Sequence, residues 1–153
     1  MRTFCGALIL LSCFMLAGCS PPLPDTLGDY AVECILMTPE PIPPTEDDPH
    51  VGFKDVYACG ISEEDLLAQM SDGAPWPDGS MVLKESTKAH QGYPWLIATA
   101  SKQAGSWEWA EYTRNFESED FAQIPVGEDT CIDCHKKVKS SDYIYTHYIT
   151  SNP

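Results

Sequence analysis

The sequence predicts an α+β fold: an antiparallel β-sheet with a few short helices. Three observations point there. Short runs rich in β-branched, aromatic and alternating residues recur through the middle of the chain, at 51–58, 80–85, 95–100 and 107–114. Glycine-containing turns separate the last three runs, as an antiparallel meander requires. One stretch carries a clear helix start, with Ser62 followed by the acids Glu63, Glu64 and Asp65.

Taken in order, residues 1–18 read as an export signal. Met1 and Arg2 precede the apolar runs 7–11 and 14–17. These runs are too short to span a bilayer and suit a signal-peptide core. They end in Leu16-Ala17-Gly18-Cys19, the lipobox pattern, so Cys19 is the expected lipidation site. Ser20 follows, and by resemblance to enterobacterial sorting rules the missing Asp favours the outer membrane. The expected location is the periplasmic face of a bacterial membrane, held by the lipid alone.

Residues 19–29, with Pro21, Pro22, Pro24 and Gly28, read as a flexible tether. Residues 30–153 then form one domain, long enough for its own core. Within it, 30–37 (YAVECILM) reads as a first strand. Residues 38–50 carry five prolines and the acids Glu46, Asp47 and Asp48, so they read as loop. The run 51–58 (VGFKDVYA) reads as a second strand. The helix from Ser62 presents Leu66, Leu67 and Met70 as its apolar face. Strands follow at 80–85 (SMVLKE) and 95–100 (WLIATA). In 107–114 (WEWAEYTR), Trp107, Trp109 and Glu111 alternate against Glu108, Ala110 and Tyr112.

Acids outnumber bases by 23 to 9, for a net charge of −14, which argues against nucleic acid as a partner. Of seven cysteines, Cys5 and Cys13 leave with the signal and Cys19 takes the lipid. Outside the cytoplasm thiols oxidise, so the remaining four each need a role. Cys34 and Cys59 lack metal-ligand spacing and are expected to form a disulfide, stabilising by roughly 3 kcal/mol. The alternative is two buried free thiols.

Cys131-Ile132-Asp133-Cys134-His135 is the attachment signature of c-type haem. Two cysteines three residues apart lie on one side of a helix, within reach of both vinyl groups of one porphyrin. The next residue, His135, can then ligate the iron. Thr130 is the expected helix cap, with Asp133 completing a capping box. Lys136, Lys137 and Lys139 suit a helix C-terminus, or a docking patch. A zinc site would need a second pair of ligands, and a redox dithiol would sit in a βαβ unit; neither pattern is present. One motif implies one covalent haem c. The other iron ligand is open: Met37, Met70, Met81, His50, His90 and His147 each stand alone and read as structural or surface residues.

Several stretches together resemble the cytochrome P-460 family, which includes the cytochromes c′-beta. The haem motif lies near the end of the chain and is followed by 141–148 (SDYIYTHY), similar to the family's tail. Residues 77–85 (PDGSMVLKE) resemble its lysine–glutamate strand, 105–109 (GSWEW) its tryptophan strand, and Val56-Tyr57 the pair before its first helix. The resemblance implies a β-rich fold, often homodimeric, with five-coordinate haem on His135. It puts Lys84 where P-460 enzymes bond a lysine to the porphyrin, a crosslink that accompanies hydroxylamine oxidation with electrons passed to a partner cytochrome. Cytochromes c′-beta lack the crosslink and bind NO or CO. Lys54 stands near the place of a family arginine. The carboxylates nearest the motif are Glu128 and Asp129, and no distal base is assigned. The expected function is redox chemistry on small nitrogen compounds. The alternatives are an NO- or CO-binding module and a lipoprotein electron carrier.

Overall fold

A computed structural model describes residues 20–46 and 48–146. Cys19, Asp47 and His147 lie outside the described residues. Six antiparallel strands form one sheet in the order of the chain: β1 (Ile35–Leu36), β2 (Phe53–Cys59), β3 (Met81–Thr87), β4 (Leu96–Gln103), β5 (Ser106–Thr113) and β6 (Ala122–Ile124). Helices α1 (Tyr30–Glu33), α2 (Glu63–Asp72) and α3 (Glu128–His135) complete it. This is the α+β class expected. Among the described residues no helix is long and apolar enough to cross a membrane.

Both sheet faces are covered, because side chains alternate and each set meets its own partner. One face carries Val56, Ala58, Val82, Ala100 and Trp107, closed by Leu66 of α2, Met37, Trp76 and Ile144. The other carries Tyr57, Leu83, Ile97 and Tyr112, closed by Leu27 and flanked by Tyr30. Helix α2 starts as read: Ser62 caps the Asp65 amide at 3.1 Å, and Gly73 ends it in left-handed backbone.

Four expectations need correction. The expected strand at 30–37 splits into α1 and the two-residue β1. Amides of Val32 and Glu33 bond back to the Asp29 carbonyl, and Cys34 to Tyr30. The Tyr30 ring packs edge-on against Tyr57, and its hydroxyl binds Glu85. These tertiary contacts outweigh the β-leaning composition. Cys34 then reaches Cys59, and the two are joined in a disulfide.

The segment read as a free tether is docked from Pro21 onward. The Gln123 amide donates to the Pro21 carbonyl at 2.7 Å, Pro22 bridges Ala122, and Leu27 is buried against the second sheet face. Strand β6 was not anticipated; with three residues it is too short to show a period. Finally, α3 begins two residues before Thr130, with Gly127 as N-cap and no side-chain cap. Asp133 pairs instead with Lys136 at 2.7 Å, both exposed.

Candidate functional site

Strand register gathers one set of side chains. Lys84 on β3 faces Ala98 on β4, and Ala98 faces Glu111 on β5, so Lys84 and Glu111 share a sheet face across one small residue. By alternation Trp109 and Trp107 lie on that face too, as the 107–114 pattern indicated. Lys54, opposite Ser86, extends it on β2.

The loop before β2 brings His50 between them. Lys84 Nζ donates to His50 Nδ1 at 2.7 Å, and His50 Nε2 meets Glu111 Oε1 at 3.0 Å. With Lys84 as donor, the neutral ring carries its proton on Nε2 and gives it to Glu111. Asp48 joins through the His50 amide at 2.9 Å and pairs with the buried Lys54 ammonium at 2.6 Å. Burial alone would raise the Asp48 carboxyl. The Lys54 bond, the His50 amide and the charges of Lys84 and Lys54 outweigh it and hold the group below its ordinary value. Burial lowers the Lys84 ammonium, and Lys54 adds to this while Asp48 and Glu111 oppose it. Lys84 is therefore a largely buried member of a polar network. None of the loop's composition announced His50, although the alternation of Trp107, Trp109 and Glu111 was a signal for Glu111.

Helix α3 supplies the motif side chains. Cys131 and Cys134 are both free and partly buried. Burial and the Glu111 charge raise the Cys131 thiol. His135 packs against Trp109 at 4.3 Å between ring centroids and against Tyr145 at 5.1 Å. Its Nδ1 donates to the Tyr143 carbonyl at 2.6 Å, leaving Nε2 for a metal. Burial lowers its pKa, the Tyr143 bond opposes this, and the charge of Lys84, with that of His50 whenever it is protonated, lowers it further. The network and the motif are therefore electrostatic neighbours.

These residues fit a covalent haem. Two thiols stand one helical turn apart with the histidine next to them, and the tautomer of that histidine is set for ligation. Trp109 Nε1 and Ser86 Oγ, both on the same sheet face, are buried without hydrogen-bond partners among the described residues. Such donors are costly unless another group meets them. A cleft of about 260 Å³ between α3 and the β4–β5 turn is lined by Trp107, Trp109, Ile132 and Tyr143 but by neither thiol.

Of the other candidates, Met37, Met70 and Met81 pack in or against the two cores, and His90 is exposed. Glu128 and Asp129 are exposed in the first turn of α3, so the carboxylates facing Lys84 are Glu111 and Asp48 instead.

A model of the family described as Cytochrome P460 matches residues 43–146, which spans β2 through the segment after α3. No curated protein matches the chain.

Proposed function

The chain belongs to the cytochrome P460 family and is a haem c protein, and on that premise we propose that it oxidises a small nitrogen compound such as hydroxylamine at its haem, with Lys84, His50 and Glu111 as the side chains that handle protons. In this reading one haem is bonded to Cys131 and Cys134, with His135 as its protein ligand. The protein works on the periplasmic side of a bacterial membrane, anchored through Cys19, and hands electrons to a partner cytochrome.

A haem held by Cys131, Cys134 and His135 would supply iron for binding the nitrogen compound and accepting its electrons. The polypeptide supplies the rest. Oxidising hydroxylamine to nitric oxide releases protons and electrons in equal number, so a site for it needs proton acceptors within reach. His50 accepts at Nδ1 when the Lys84 bond breaks, and passes the Nε2 proton to Glu111 at 3.0 Å. Lys54 holds Asp48 ionised, and Asp48 fixes the loop that carries His50. The observation that carries the proposal is the Lys84–His50–Glu111 chain. The test mixes purified holoprotein with hydroxylamine and an oxidised cytochrome acceptor. Hydroxylamine-dependent reduction of the acceptor is expected; its absence from protein with intact haem contradicts the proposal.

One observation favours a second reading, a cytochrome c′-beta-like module that binds NO or CO without turnover. The Lys84 amine is already engaged by His50, which favours a haem without a lysine crosslink. An intact mass equal to polypeptide plus one haem supports that state, because thiols add to vinyl groups without losing atoms, and a mass lower by the hydrogens that an oxidative lysine–porphyrin bond removes argues for the crosslink.

A further inference from the structure

A second ion pair, Lys102 with Asp142, lies beside the residue that hydrogen-bonds His135. After α3 the chain makes a 3-10 turn, Lys136–Ser141, and then places Asp142 and Tyr143 in left-handed backbone, with φ of 48° and 68°. Non-glycine residues adopt this region at a cost on the order of 1–2 kcal/mol each, and two in succession persist only when their surroundings impose them. Here the surroundings converge on Asp142. Lys102 Nζ donates to both its carboxylate oxygens at 2.9 Å, and the Trp76 amide donates to Oδ2 at 2.9 Å. Trp107 Nε1 donates to the Asp142 carbonyl at 2.8 Å. Lys102 is only 5% exposed, and its ammonium lies 4.8 Å from the Trp107 ring centroid. The residue bonded to this clamp, Tyr143, presents the carbonyl that takes the His135 Nδ1 proton at 2.6 Å.

We propose that Lys102 and Asp142 are a positioning pair that locks the Tyr143 carbonyl onto His135 and thereby tunes the reduction potential of the bound haem. The inference rests on the reading of His135 as the iron ligand. A carbonyl accepting from Nδ1 makes the imidazole a stronger donor and fixes its plane. A stronger donor favours the ferric state, so loosening the clamp raises the potential.

The test uses holoprotein variants and two readouts, the haem midpoint potential and the iron–histidine stretching frequency of the ferrous form. Asp142→Gly tolerates the backbone but cannot hold Lys102. Asp142→Asn keeps the left-handed tolerance and one acceptor oxygen, and serves where a harsher variant fails to fold. Lys102→Met removes the cation, and Lys102→Arg restores it. Expected are a higher potential and a lower frequency in Lys102→Met and Asp142→Gly, smaller shifts of the same sign in Asp142→Asn, and near wild-type values in Lys102→Arg. Unchanged potential and frequency in Asp142→Gly, with only thermal stability reduced, overturn the clamp. A stretching band that survives His135→Gly instead overturns the assignment of the ligand itself.

Discussion

Lys84 Nζ donates to Nδ1 of His50 at 2.7 Å across 34 residues of sequence. That bond turns a strand lysine into one end of a relay whose other end is Glu111, 61 residues beyond His50. The relay lies on the sheet face against which His135 packs, so removing its middle should damage chemistry more than folding.

His50→Gln should therefore lower hydroxylamine turnover by on the order of 100-fold, the smaller end of what a positioned acid–base group contributes. Gln can still bridge Lys84 and Glu111 but cannot take a proton. Steady-state reduction of an acceptor cytochrome measures it. An unchanged rate would remove His50 from the mechanism.

The acid limb of stability should report Asp48. Its folded pKa lies below the ordinary 3.8, so the folded state binds protons less readily than the unfolded one. The resulting stabilisation is fully present above about pH 4 and is lost as pH falls through the lowered folded value. Asp48→Asn should reduce stability at neutral pH and flatten the acid limb in denaturant titrations at several pH values. An unaltered limb contradicts the linkage.

Reducing the Cys34–Cys59 bond, or replacing both residues by alanine, should cost about 3 kcal/mol for a loop of this size. The bond ties α1 to the end of β2, away from the relay. Denaturant unfolding should shift while the haem spectrum stays as it was. A changed spectrum would mean that the bond also shapes the site.

Gly52 has φ of 117°, and a Cβ there would run into the Thr87 carbonyl. Gly52→Ala should cost about 2 kcal/mol or more. It should also lower turnover, because Gly52 sets the turn between His50 and Lys54. Unfolding and activity measured on one preparation separate the two effects.

The middle of the fold was legible because a face buried on one side leaves a period of two in the sequence. Trp107, Trp109 and Glu111 share a sheet face as that alternation required. The Cys131–His135 motif is a local sequence pattern, and the structure places it on the last turns of α3. Tyr30–Glu33 was not legible, since its helical turn depends on Asp29 and on packing against Tyr57 rather than on its own composition. His50 was hidden for a related reason. It sits in a proline-rich loop with no period, and only the register of β3, β4 and β5 sets Lys84 and Glu111 on the face that meets it. A local pattern records which face a side chain takes, but not which distant loop will meet it.

The account stands most directly on whether the bound haem keeps an open coordination position for a small ligand. The deciding measurement is the visible spectrum of the ferrous holoprotein, recorded while nitric oxide is titrated in. The account predicts a high-spin spectrum that converts to an NO-bound form as one equivalent is added. A low-spin, six-coordinate spectrum that nitric oxide leaves unchanged would contradict it and mark the protein as an electron carrier.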